Sequence, residues 1–184
     1  MSEIPPDFKR EMLSLLPNLR AFAISLCGSP DRADDLVQDA ILKAWAAHAS
    51  FEAGTNLKAW LFTILRNEFY SQMRKKGREI QDSEGYYTEN MAVHPSQYGK
   101  LDLQDFSKAL AELPEDQREA LLLVGASGFA YEEAAEICGC KVGTIKSRVS
   151  RARTQLQALL EIEGEGDFGP DAESAPVTLR AFAS

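Results

Sequence analysis

The sequence predicts an all-α fold: two small helical domains joined by a long acidic linker. Three observations point there. Apolar residues recur at three- and four-residue spacing, no run alternates as a half-buried strand would, and the composition breaks once, near the middle of the 184 residues. The predicted division is 1–78 for the first domain, 79–106 for the linker, 107–160 for the second domain and 161–184 for an acidic, disordered tail.

Each element has a local justification. A first helix is expected from Asp7 to Cys27, stopping at Gly28, a residue suited to the position after a helix end. Ser29-Pro30 then offers a cap followed by proline at the first helical position, and Asp31, Asp34 and Asp35 suit the positive end of the helix dipole. This second helix is expected to reach about Ala49, with a loop from Ser50 to Asn56 that contains Gly54. Thr55 or Asn56 caps a third helix, expected to end near Lys76 because Gly77 comes next. Asp82-Ser83-Glu84-Gly85, Asn90, His94-Pro95-Ser96 and Gly99 mark the linker. In the second domain, Ala130–Ile137 forms a short helix, Cys138-Gly139-Cys140-Lys141 a tight turn, and a last helix opens near Val142. Two helices around a short glycine turn form a helix-turn-helix. Leu110, Leu113-Pro114 and Leu121-Leu122-Leu123 supply its scaffold.

Charge narrows the function. The net charge of −8 argues at first against a nucleic-acid partner. From Glu79 to Phe106, however, six acids face Lys100 alone, and from Glu161 to Ser184 six acids face Arg180 alone, so the remainder sums to +2. Within it Arg66, Arg74, Lys75, Lys76 and Arg78 form one basic cluster, and Lys141, Lys146, Arg148, Arg151 and Arg153 another. Two separate clusters are an electrostatic footprint for phosphate. No apolar run nears the roughly 18 residues a bilayer span needs. The amino terminus lacks a secretory pattern. A cytoplasmic protein with no membrane association is therefore expected. Cys27, Cys138 and Cys140 do not form a disulfide framework, and Cys138-x-Cys140 with the remote His48 and His94 lacks zinc-ligand spacing; no cofactor or metal is expected.

Two helical faces carry the chemistry. At 100° per residue, Val142, Ile145, Val149, Ala152 and Leu156 fall in one arc of the last helix and pack inward. Opposite lie Thr144, Ser147, Ser150 and Arg151, flanked by Lys146, Arg148 and Arg153. Hydroxyls and an arginine at the apex suit base edges; flanking cations suit phosphates. In the third helix Leu57, Leu61 and Ile64 mark the core, widened by Phe62, Leu65, Phe69 and Met73. Thr63, Asn67, Tyr70 and Arg74 line a different stripe that could stack on an unpaired base, bond its edge and hold its phosphate. Glu68 falls on the core side without a partner visible in the sequence. The acids of the second helix suit either a basic protein partner or plain solvation.

Asp34-Asp35-Leu36-Val37-Gln38-Asp39, Ala44-Trp45, Phe51 and Leu57–Asn67 resemble region two of extracytoplasmic-function sigma factors. Leu113–Ala120, Tyr131–Ala135 and Val142–Arg148 resemble region four. The resemblance covers about residues 8–160 and implies a factor that binds core RNA polymerase and directs recognition and melting of promoter DNA, with no catalytic activity of its own. It implies that Asp35, Gln38 and Asp39 dock on the polymerase clamp helices. The loop from Ser50, with Phe51 and Asn56, and Asn67 would capture a flipped base of the minus-10 element. Lys146, Ser147, Ser150 and Arg151 would read the minus-35 element, and the acidic linker would thread the RNA exit path. Ala130 and Ser150 depart from residues common among relatives and bear on base preference. The wording of 125–153 and 54–67 is similar to the general-stress-response subgroup of alphaproteobacteria. That subgroup implies a small anti-sigma partner, displaced in turn by a response regulator, and a GGAAC-like minus-35 sequence. Two other readings use fewer of these residues: a helix-turn-helix regulator binding operators, and a sigma-like mimic that titrates an anti-sigma factor.

Overall fold

The computed structural model describes residues 6–52, 54–82 and 101–160, all helix, turn or loop, with no strand among them. The chain divides into two compact units between Ala92 and Val93.

The first unit contains helices α1 (Pro6–Ser14), α2 (Leu16–Cys27), α3 (Pro30–Ala46) and α4 (Leu57–Asp82), with one 3₁₀ turn at His48–Ser50. Its core joins Phe8 and Met12 of α1, Leu19, Phe22 and Leu26 of α2, Leu36 of α3, and Leu57, Leu61, Phe62, Leu65 and Phe69 of α4, all buried. Each such side chain contributes about 1.5–3 kcal/mol on burial. Ala33, Ala40 and Ala44 give α3 a smooth inner face against α2 and α4. Phe22 and Phe62 meet with ring centroids 5.0 Å apart.

Three boundaries differ from expectation. The single helix Asp7–Cys27 is two helices, broken at Leu15. Pro17 sits in the first turn of α2, where its missing N–H costs nothing; further inside one continuous helix it would have removed a hydrogen bond. Helix α3 stops at Ala46, not Ala49, and the chain tightens into the 3₁₀ turn. Helix α4 does not end at Lys76 but runs through Gly77 to Asp82. Gly77 lacks a positive φ and its surroundings are open, so it is a tolerated helical glycine that costs about 1 kcal/mol relative to alanine. Asn56, rather than Thr55, caps α4: its Oδ1 accepts from the Ala59 N–H at 3.0 Å.

The second unit contains α5 (Leu101–Glu112), α6 (Glu115–Leu121), a π-helical segment (Leu122–Ala126), α7 (Tyr131–Cys138) and α8 (Val142–Leu159). The expected linker therefore begins and ends in helix, at 79–82 and 101–106; its middle and the tail beyond Leu160 lie outside the described residues. Leu110, Leu113, Leu123, Phe129, Ala134, Ile137, Ile145, Val149, Ala152 and Leu156 are buried, with α8 packed on α6 and α7. Gly139 closes α7 in the left-handed region, φ 65°, and the Cys140 N–H returns to the Ala135 carbonyl at 3.0 Å.

Candidate nucleic-acid interface

Helix α8 is held rigidly, with its apolar stripe sunk into the scaffold. Ile145, Val149, Ala152 and Leu156 are buried as expected, while Val142 is only half-buried. Lys146, Ser147, Ser150 and Arg151 are exposed, and Thr144 is half-buried beside them. Ser147 Oγ donates to the Thr144 carbonyl at 2.9 Å, which leaves its oxygen as an acceptor. The Lys146 ammonium lies 5.7 Å from the centre of the Tyr131 ring on α7.

Arg148 behaves differently from its neighbours in sequence. Its Nε pairs with Asp116 Oδ2 of α6 at 3.0 Å, and its Nη1 lies 3.9 Å from Cys140 Sγ in the turn. The guanidinium thus ties α8 to α6 and to the turn, instead of standing free on the flank. Arg153 is half-buried, and its Nε meets no acceptor among the described residues. At the start of α7, the Glu133 carboxylate accepts from the Ala130 N–H at 2.9 Å. Ala130 has no side-chain acceptor to offer in return, so only half of a capping box exists.

In the first unit, Thr63, Asn67, Tyr70 and Arg74 share one line of α4. Asn67 and Arg74 are exposed, and Thr63 and Tyr70 are half-buried. Thr63 Oγ1 donates to the Ala59 carbonyl at 2.9 Å, leaving its oxygen as an acceptor. The Tyr70 ring is fixed from two sides. Arg66 lies over it at 4.6 Å and Phe69 meets it edge-on at 5.3 Å. The four-residue spacing of Arg66 and Tyr70 is the sequence signal for that stacking, and membership of the basic cluster masks it. The loop before α4 is built on local bonds: Ser50 Oγ donates to the Ala47 carbonyl and Thr55 Oγ1 to the Glu52 carbonyl, each at 2.7 Å. Phe51 is half-buried, its ring 5.6 Å from Phe8 and 5.3 Å from Trp60, so it pins the loop to α1 and α4.

On α3 the acids separate into two kinds. Asp34 is a structural acid: Arg20 of α2 donates to it through Nε at 2.6 Å and Nη2 at 3.2 Å. Those hydrogen bonds hold its carboxyl below the ordinary value. Asp35, Gln38 and Asp39 are placed on another face, which continues into the exposed Leu42 and Trp45; all three are exposed. Glu68, buried in the α3–α4 seam, is partnered by Lys43 and by Gln72 Nε2 at 3.1 Å. Burial would push its carboxyl up, but the bonds from Lys43 and Gln72, with Lys75 nearby, prevail and hold it below the ordinary value.

Family models for Sigma-70 region 2 and Sigma-70, region 4 match residues 12–79 and 103–156. The ECF RNA polymerase sigma factor EcfG of Rhodopseudomonas palustris is 59% identical over 165 residues, 90% of this chain and 91% of that protein. The chain belongs to the extracytoplasmic-function sigma factors. It is thus a transcription initiation factor that binds core RNA polymerase and directs it to promoter DNA. Among solved structures, the sigma factor RpoE in complex with the anti-sigma factor NepR from Bartonella quintana matches with TM-score 0.79 and 68% identity. That match covers 87% of this sigma factor and all of RpoE. CnrH in complex with the cytosolic domain of CnrY matches with TM-score 0.63 and 26% identity over 85% of this chain and 89% of CnrH. Both units of the sigma factor have a family counterpart, so an operator-binding regulator or a titrating mimic is not favoured. Among the described residues no helix could cross a membrane, and no cluster of three or more His, Cys, Asp or Glu could hold a metal.

Proposed function

We propose that the three rows divide the work of initiation. Lys146, Ser147, Ser150 and Arg151 of α8, with Thr144, read the minus-35 element through the major groove; Arg148 and Arg153 support that helix from its flanks. Thr63, Asn67, Tyr70 and Arg74 of α4, with the loop that Asn56 closes and Phe51 anchors, hold an unpaired base of the minus-10 element. Stacking a base on an aromatic ring is worth about 1–3 kcal/mol, comparable to the cost of unstacking one from DNA. Melting is thereby aided without any chemistry on the base, and the factor has no catalytic activity of its own. Asp35, Gln38 and Asp39, continued by Leu42 and Trp45, dock on the polymerase.

The observation that carries this reading is the same in both units: a polar and cationic helix line stands outward because the opposite stripe is locked in a core. The units correspond to domains of about 1–82 and 101–160, working in the cytoplasm in a general stress response. RpoE of Bartonella quintana was solved with the anti-sigma factor NepR. A small anti-sigma factor of that kind is the partner proposed for this chain.

Run-off transcription with core polymerase and a promoter carrying a GGAAC-like minus-35 element tests the reading. Wild-type protein gives a discrete transcript. Asn67→Ala and Arg151→Ala each reduce it at least about tenfold, a loss near 1.4 kcal/mol, while the protein keeps its helical circular dichroism. Undiminished initiation by both variants would end the proposal.

A further inference from the structure

Helices α3 and α4 are joined by a polar ladder that runs antiparallel across their seam. Asp39 and Lys43 stand one turn apart on α3; Glu68 and Gln72 stand one turn apart on α4. Lys43 pairs with Glu68, and Gln72 Nε2 reaches both Glu68 Oε1 at 3.1 Å and Asp39 Oδ2 at 3.0 Å. The amide orientation is dictated by its neighbours: both partners are carboxylates that only accept, so the NH₂ end must face them, one N–H to each. Asp39, exposed as it is, therefore has a fixed oxygen.

The choice of glutamine has an electrostatic meaning. A lysine at position 72 would also reach Asp39, but it would form an ion pair and cancel the negative charge. A glutamate would add a third carboxylate to Asp39 and Glu68, with Lys43 and the more distant Lys75 to balance them. Glutamine orients Asp39 and leaves its charge intact for a basic partner. Glu68, buried and balanced by Lys43, in turn fixes the amide.

We propose that Gln72 is a positioning residue for polymerase docking: it presets Asp39 in the orientation that the polymerase engages while leaving that carboxylate without a neutralising cation. The proposal rests on the reading of Asp39 as a docking residue. Gln72 lies on the side of α4 away from the Thr63–Arg74 line, so its effect is confined to docking and does not reach the base-holding row.

The test is a double-mutant cycle on the affinity of the full chain for core RNA polymerase. Gln72→Ala is expected to weaken binding about threefold to tenfold, the range of one lost hydrogen bond. Gln72→Lys is expected to weaken it at least as much while leaving the melting temperature unchanged or higher, since the new ion pair holds the helices together. In an Asp39→Asn background neither substitution changes affinity further. Wild-type affinity for Gln72→Lys, or effects that simply add to those of Asp39→Asn, would overturn the proposal. If Asp39→Asn weakens binding and Gln72→Ala does not, docking through Asp39 stands and positioning falls. If Asp39→Asn itself is without effect, both fall.

Discussion

At position 68 the helical period sets an acid among leucines and phenylalanines. The sequence alone leaves that acid without a reason, because its partners Lys43 and Gln72 lie on another helix and one turn onward. Their bonds hold the Glu68 carboxyl below its ordinary value. A carboxyl whose folded value lies below its unfolded one, about 4.3 for glutamate, stabilises the fold fully above that range. The contribution is lost as pH falls through the lowered value. Glu68→Gln is therefore expected to be less stable than wild type at pH 7, with the gap narrowing progressively as pH falls below the ordinary glutamate value of about 4.3. Urea unfolding across a series of pH values from 7 downward checks this, and a gap that stays constant throughout refutes it. The same helix shows a limit of periodicity. Leu57, Leu61, Phe62, Ile64, Leu65, Phe69 and Met73 span too wide an arc to identify one inner face, and Met73 proves 42% exposed. The outward residues Asn67 and Arg74 were legible because polar side chains at spacings of three and four line up on a helix.

Glycine is a reliable sign where it ends a helix and a misleading one where it merely sits inside. Gly28 and Gly139 both have left-handed backbone, φ 68° and 65°, and both close helices. Gly77 does not, and α4 continues through it. The downstream residues make the difference. Beyond Gly28 and Gly139 the chain turns extended at Ser29 and Lys141, each of which opens a new helix. Beyond Gly77 the residues go on forming helical hydrogen bonds. The π-helical segment Leu122–Ala126 has no such sign, since a run of leucines before Gly125 does not announce a widened turn. Its signature is the Ser127 N–H reaching five residues back to the Leu122 carbonyl at 2.8 Å. In the turn between α7 and α8, a Cβ on Gly139 would meet nothing within 4 Å. The penalty for Gly139→Ala is then one of backbone alone, about 1–2 kcal/mol, and Gly139→Asn is expected to lose less because asparagine tolerates this conformation. Equal losses in urea unfolding would refute the backbone account.

The division into two units was legible because composition changes abruptly between them, and each unit has its own buried core. Helical ends were less legible: acidic and polar residues at 79–82 and 101–106 still form helix, since charge alone does not break one. With the proposed base-holding row in one unit and the proposed minus-35 face in the other, the two surfaces are built from separate sets of the described residues. Substitutions in them are expected to add in free energy. In promoter-complex formation by holoenzyme, Asn67→Ala and Arg151→Ala together should equal the sum of the two within about 0.5 kcal/mol. A larger departure would mean that the units communicate during promoter engagement.

If α8 meets promoter DNA as proposed, the pairing of Arg148 with Asp116 alters how that binding responds to ionic strength. Five cations crowd the sequence around α8, and a simple tally would release one condensed counterion for each phosphate they neutralise. Arg148 spends its charge on α6, so it drops out of that tally. The affinity of this face for DNA should fall with added potassium chloride along a gentler logarithmic gradient than its basic composition suggests.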